Sequence, residues 1–195
     1  MNKTVIVYGG AFNPPTRAHQ TILQSAINYV APIHGEVWLL PSGENNKKKT
    51  GLDRSVRLRY LEALIASVQS NGAKVRIELL ELDADYRTDK VETVETLQAM
   101  YPEISFLWLY GSDSMETINA WGGEWLKQHT DILVAVRDEN FDTSNLPART
   151  KILSTDTVGL PSSSFVRDQI KDHRDYKPFV PDLVYSEINP DEYRS

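Results

Sequence analysis

The sequence predicts an α/β fold built on a doubly wound parallel sheet, and three observations lead there. Short β-branched runs alternate along the chain with stretches of helical periodicity, the pattern of βα units around a parallel sheet. The first of these runs, Thr4–Tyr8, is continuously apolar, as a strand buried on both faces must be. A turn rich in glycine and proline follows it directly, at the carboxyl end of a strand where such sheets bind ligands.

The elements follow in order. After Thr4–Tyr8 comes a helix from Arg17 to Tyr29, with Ile22, Leu23, Ala26, Ile27 and Val30 on one face. Glu36–Leu40 is the second strand, ended by Pro41, and the polar loop Ser42–Asp53 leads to a second helix. That helix is expected to bury Leu58, Leu61, Leu64, Ile65 and Val68. Val75–Leu80 is a third strand, and Lys90–Met100 a helix with Val91, Val94 and Leu97 inward. Ile104–Tyr110 is the most hydrophobic strand and belongs at the centre; Ile132–Val136 and a short Lys151–Leu153 complete the set. Two helices, Ser163–Lys171 and a weaker Pro181–Ile188, form a small C-terminal helical part. Right-handed crossovers then give the doubly wound arrangement. With no internal repeat and no long linker, residues 1–195 are expected to form one domain.

Composition narrows the function classes. The 195 residues are 41% hydrophobic and 25% charged, enough apolar material for a core without staples. The absence of cysteine removes disulfides, thiolate metal sites and a cysteine nucleophile. A net charge of −6 repels a nucleic-acid backbone, so no nucleic-acid partner is expected. The N-terminal apolar run is too short for a signal peptide and no run approaches a membrane span, so a cytoplasmic protein with no membrane partner is expected. A homo-oligomer is left open. Lys47, Lys48, Lys49, Arg54, Arg57 and Arg59 form the densest basic cluster, read most simply as a solvated loop entering a helix.

Three segments carry chemistry. Gly9-Gly10-Ala11-Phe12-Asn13-Pro14-Pro15-Thr16-Arg17-Ala18-His19 follows the first strand. Its glycines allow close backbone approach, Thr16 is a good helix N-cap, and His19 stands on the same side of the first turn. A helix N-terminus there offers free amides and a positive dipole end to phosphate. The segment lacks the Gly-Lys-Ser/Thr of a P-loop and the Gly-x-Gly-x-x-Gly of dinucleotide sites. Its plainer reading is a tight turn with a capped helix and a surface histidine. The second segment, Pro161-Ser162-Ser163-Ser164-Phe165-Val166-Arg167, opens a helix with hydroxyls and places Ser163 and Arg167 one turn apart, suited to a polyphosphate tail or to simple capping. The third is Gly111-Ser112-Asp113 at the end of a strand, where Asp113 either meets a ribose or adenine or caps a helix over Ser114–Ala120.

Together these segments resemble a family. Gly9–His19 resembles the nucleotide-binding loop of nucleotidyltransferases with a His-x-Gly-His-like tetrapeptide, here Thr16-Arg17-Ala18-His19. Ser162–Arg167 is similar to that family's second signature, hydroxyls before an arginine. Thr93-Val94-Glu95-Thr96-Leu97 resembles the Thr-x-Asp/Glu-Thr-Leu stretch of the nicotinate/nicotinamide mononucleotide adenylyltransferases. Phe106–Trp121 resembles their strand–Gly-x-Asp–helix–Trp segment, and Phe179-Val180-Pro181 their closing Tyr-Val-Pro. The matches run in the right order along nearly the whole chain.

The resemblance implies a Rossmann-like fold and transfer of AMP from ATP to a pyridine mononucleotide, with release of pyrophosphate. It implies His19, Thr16 and Arg167 as catalytic residues. ATP would be bound by Gly9, Gly10, Ala11, Phe12, His19, Gly111, Asp113, Ser162, Ser163 and Arg167. The acceptor would be bound by Asn13, Lys47, Thr93 and Trp121, with Trp121 stacking on the cationic ring. Mg²⁺ would be carried by the ATP phosphates, with no metal site on the protein. The chain departs from the pattern at Thr16 and Ala18, which replace histidine and glycine, although a Thr-x-x-His version also occurs in this branch. It also has Lys47–Lys49 where bacterial nicotinate enzymes carry Pro-Pro-His-Lys, and Glu92 where an aromatic residue is usual. Glu92 beside a nicotinate carboxylate would be repulsive and leans towards the amide or another acceptor. Transfer to phosphopantetheine, a CTP-dependent reaction and a binding sensor without turnover are the alternatives.

Overall fold

A computed structural model describes residues 2–43, 51–84, 89–117, 123–144 and 146–194. Six strands form one sheet: β1 (Lys3–Gly10), β2 (Glu36–Pro41), β3 (Lys74–Ile77), β4 (Ile104–Gly111), β5 (Asp131–Ala135) and β6 (Thr150–Leu153). Their order is β3-β2-β1-β4-β5-β6 and every neighbouring pair is parallel. This is the Rossmann order.

Successive side chains of a strand point to opposite faces, so a central strand must be apolar throughout. β1 meets that condition: Ile6 and Tyr8 enter one core, Val5 and Val7 the other. Helices α1 (Arg17–Val30), α2 (Arg54–Ala66), α6 (Ser163–Lys171) and α7 (Asp182–Glu187) bury residues in the first core. Helices α3 (Lys90–Met100), α4 (Ser112–Thr117) and α5 (Gly123–His129) supply the second. The chain leaves β1 towards one face and β4 towards the other, which opens a crevice between the carboxyl ends of these two neighbours.

Most elements stand within a residue or two of where the periodicity puts them. Helix α1 buries Ala18, Ile22, Leu23, Ala26, Ile27 and Val30, the expected stripe. Three expectations need correction. The buried stripe of α2 is Val56, Arg57, Tyr60, Leu61 and Leu64, while Val68 lies past the helix end and Leu58 and Ile65 are only half-buried. The reason is tertiary: α2 turns Tyr60 towards the C-terminal segment, where its hydroxyl lies 3.4 Å from Tyr193 and 3.3 Å from Glu192. Strand β3 stops at Ile77, because its pairing with β2 ends at Leu39 and the Glu78 amide caps the ladder on the Leu39 carbonyl. Helix α5 was not expected. It has seven residues and buries only Gly123 and Leu126, too little periodicity to read.

Candidate active site

The glycine-rich loop leaves β1 at the mouth of this crevice. Its carbonyls are tied back one after another. The Gly10 carbonyl accepts from the Ser42 amide at 3.0 Å, and the Ala11 carbonyl from Arg57 Nη2 at 3.4 Å. In a trans peptide the N–H points opposite to the preceding C=O. The amides of Ala11 and Phe12 therefore face away from Ser42 and Arg57. Phe12 has φ 48°, a left-handed conformation that costs on the order of 1–3 kcal/mol outside glycine and persists only where the surroundings impose it. Here its ring is buried and packs edge-to-face on Tyr8 at 5.3 Å. Successive amides turned to one side in this way are a geometry able to receive an anion.

Helix α1 begins at the end of the loop and brings Thr16 and His19 together. The Thr16 amide donates to His19 Nδ1 at 3.0 Å, and the Thr16 hydroxyl lies 3.0 Å from the same nitrogen. His19 thus stands where a capping box carries Glu or Gln. Since a backbone N–H can only donate, Nδ1 is the acceptor, and neutral His19 carries its proton on Nε2. Burial pushes the His19 pKa from 6.5 down to about 3, and the nearby Arg137 guanidinium adds to the shift. The ring lies 5.2 Å from Phe12 and 6.3 Å from Tyr8. His19 is a neutral donor at physiological pH, aimed from a helix N-terminus.

The second hydroxyl-rich segment meets this loop from the far end of the chain. Ser162 caps α6 by accepting from the Phe165 amide at 3.2 Å. Ser163 Oγ donates to the Pro14 carbonyl at 2.8 Å, and Arg167 Nη1 to the Asn13 carbonyl at 2.7 Å. Arg167 Nη2 also donates to Ser164 Oγ at 3.0 Å. The N-termini of α1 and α6 therefore converge on one turn, and both bring positive dipole ends and free amides.

At the carboxyl end of β4, Gly111 has no room for a side chain while Asp113 holds its place: an added Cβ would fall 2.4 Å from Asp113 Oδ1. Asp113 is largely exposed and forms an ion pair with Arg137 Nη1 at 3.5 Å. The buried Ser112 hydroxyl accepts from the Arg137 amide at 3.1 Å, which fixes β5 against this turn.

Two of the expected acceptor residues turn inward. The Asn13 side chain is buried, with Oδ1 accepting from the Tyr193 hydroxyl at 2.9 Å. The Thr93 hydroxyl is buried and bonds Glu81 Oε1 at 3.0 Å. Glu92 is exposed, beside the buried stripe of α3. Lys47 and Trp121, with Lys48 and Lys49, lie outside the described residues.

Sequence reasoning missed three residues here. Arg57 belonged to the cluster read as solvated, yet it is 1% exposed and donates to the Ser42 carbonyl at 2.6 Å. Its neighbours are as expected at the surface: Arg54 pairs with Asp83 and Arg59 with Glu187. A cation at a helical position between Val56 and Tyr60 is the signal that could have singled Arg57 out. Arg137 follows β5 directly, at the carboxyl edge where ligands bind, and that position was its signal. Tyr193 carried none.

A family profile described as cytidylyltransferase-like matches residues 7–172. A Shouchella clausii protein named "Probable nicotinate-nucleotide adenylyltransferase" is 31% identical over 191 residues, covering 93% of this chain and 92% of that protein. The chain is a cytidylyltransferase-like protein of the nicotinate-nucleotide adenylyltransferase family. A Leptospira interrogans protein of the same name is 30% identical over 134 residues, 68% of this chain and 65% of the relative, so that match spans just under two thirds of the relative's length. Among solved structures, Plasmodium falciparum nicotinic acid mononucleotide adenylyltransferase complexed with NaAD superposes with a TM-score of 0.79. It is 20% identical, and the match covers 95% of this chain and 94% of that one. A Vibrio parahaemolyticus protein described as a putative nicotinate-nucleotide adenylyltransferase gives 0.70 at 18% identity, over 99% and 96% of the two chains. At these identities the structures establish the shared nucleotidyltransferase fold.

Proposed function

We propose that this adenylyltransferase-family chain moves AMP from ATP to the 5′-phosphate of a pyridine mononucleotide, releasing pyrophosphate. The observation that carries the reading is the convergence of two helix N-termini on one turn, with Ser163 on Pro14 and Arg167 on Asn13 across about 150 residues of sequence. An acceptor phosphate oxygen attacks the α-phosphorus in line, a new P–O bond forms, and the bond to the β-phosphate breaks. Such a step needs positioning and charge stabilisation more than covalent help.

His19 donates from Nε2 to the α-phosphoryl oxygens as charge develops, with Thr16 holding its Nδ1. The Ala11 and Phe12 amides, with Gly9 and Gly10 giving backbone access, receive the triphosphate from one side. Ser162, Ser163 and Arg167 hold its β and γ groups from the other. Gly111 and Asp113 face the adenosine. The donors gathered here are amides, hydroxyls, an imidazole and a guanidinium, which suit phosphate oxygens and not a hard cation. Asp113 already faces Arg137. Mg²⁺ therefore belongs to the phosphates of ATP, where it neutralises charge.

The names of the relatives favour nicotinate mononucleotide as acceptor. Exposed Glu92, one position before Thr93, is the observation that favours the amide. Pyrophosphate release with Mg·ATP and nicotinate mononucleotide, nicotinamide mononucleotide, phosphopantetheine or no acceptor tests all of this. Release that requires a pyridine mononucleotide is the expected result. Equal release with phosphopantetheine, or ATP binding with no release at all, would sink the reading.

A further inference from the structure

Lys90, the first residue of α3, places its ammonium group at the carboxyl end of β1 although none of the matching motifs includes it. Its Nζ would lie 3.7 Å from a Cβ built on Gly9, so it stands over the backbone of the nucleotide loop at the carboxyl end of β1. One of its three donors is used on Glu81 Oε1 at 2.8 Å. Glu81 is itself fixed. It is 1% exposed, the same oxygen bonds the Thr93 hydroxyl at 3.0 Å, and its backbone packs so closely on Gly43 that a Cβ there would fall 2.3 Å from the Glu81 carbonyl oxygen.

The pair is asymmetric in a way that stability alone does not explain. Both oxygens of a buried carboxylate kept only for structure normally have hydrogen-bond partners. Here Glu81 Oε2 has no hydrogen-bond partner among the described residues. The lysine end, in contrast, is open: its side chain is 23% exposed and two N–H donors remain beside Gly9. Glu81 acts as a fixed post that holds an ammonium group extended over the loop. An ammonium in that setting is a point charge for phosphate.

We propose that Lys90 binds the 5′-phosphate of the acceptor mononucleotide, with Glu81 as its positioning residue. The inference rests on the adenylyl-transfer reading above. The ATP triphosphate is held by the α1 and α6 termini on the other face of the sheet, and Lys90 reaches Gly9 from the α3 face. The incoming phosphate carries negative charge towards an α-phosphate that is itself anionic, and a cation between them offsets that repulsion.

The test is steady-state pyrophosphate release by the full chain, wild type against Lys90→Gln, with Mg·ATP and each pyridine mononucleotide. The expected result is a rise of roughly tenfold or more in the acceptor KM, equal for acid and amide, with the ATP KM unchanged. A rise confined to the acid would place the cation at the ring carboxylate and overturn the proposal. A parallel rise for ATP, or no change, would also overturn it. Turnover by the wild type with an indifferent variant refutes this inference alone; a wild type inactive with both mononucleotides refutes the reading beneath it as well. Amine labelling of the wild-type chain does not depend on the variant folding. Either mononucleotide should protect Lys90 where ATP alone does not, and equal labelling with and without mononucleotide would count against the assignment.

Discussion

Replacing His19 by asparagine separates two functions of one side chain. Nδ1 holds the Thr16 amide at 3.0 Å and so helps to start α1. Nε2, which carries the proton, is the proposed donor to the α-phosphoryl group. Asparagine keeps an acceptor close to the Nδ1 position and has nothing where Nε2 stood. Losing one preorganised donor to a developing oxyanion lowers kcat by about 100- to 1,000-fold, or ~2.7–4 kcal/mol. Stability should move little in His19→Asn, while His19→Ala also loses the cap and drops by about 1 kcal/mol. Pyrophosphate release with urea melts on the same samples reads both effects. A kcat for His19→Asn close to that of the wild type would refute the assignment. The pKa of about 3 adds a second condition: the imidazole is already neutral at pH 6.5. An acid limb near pH 6.5 in wild-type kcat/KM that vanishes in the variant would show a cationic histidine and refute the tautomer argument.

Three more outcomes are expected. His19 has a lower pKa folded than unfolded, about 3 against 6.5, so its contribution to stability is complete above pH 6.5 and is lost as the pH falls towards 3. Between those limits wild-type stability should fall faster than that of His19→Asn by about 1.4 kcal/mol per pH unit, and parallel urea-melt curves would contradict this. Tyr193→Phe removes the donor to buried Asn13 Oδ1 and should cost about 1–3 kcal/mol in a thermal melt, where an unchanged Tm would count against it. Gly111→Ala displaces the mobile end of Asp113 and breaks its pair with Arg137. Because that pair is exposed, stability should change by no more than about 1 kcal/mol, while the KM for ATP rises; loss of fold with unaltered KM would be the wrong result.

What was legible in the sequence follows from range. The strands and long helices announce themselves because burial on one or both faces writes a period into ten or so neighbouring residues, as in β1 and α1. The two helix-opening segments proposed to meet phosphate were readable for a related reason: Thr16 with His19 and Ser163 with Arg167 are each a helix turn apart. Contacts made across the fold leave no such period. Nothing local marks Tyr193 as the partner of Asn13, 180 positions away. Arg57 was misread because a charged residue in a basic cluster is normally solvated. Only the fold shows the Ser42 and Ala11 carbonyls waiting for it.

These long-range bonds also explain how so irregular a loop is held. Residues 11–16 lie outside any strand or helix ladder and include Phe12 in a left-handed conformation, yet follow a fixed path. Each carbonyl along the loop would be free to rotate its peptide if left to water. Instead the donors come from separate elements: Ser42 after β2, Arg57 from α2, and Ser163 and Arg167 from α6. Tyr193, from the turn after α7, holds the Asn13 side chain. Where the Gly10 and Ala11 carbonyls are held from behind, the next N–H groups, of Ala11 and Phe12, are fixed in front, as the proposed phosphate contact requires. The Asn13 and Pro14 carbonyls precede prolines, which have no N–H, so their bonds fix only the path of the turn. Changes at Arg57 or Tyr193, residues with no proposed contact to substrate, should therefore weaken ATP binding through the loop.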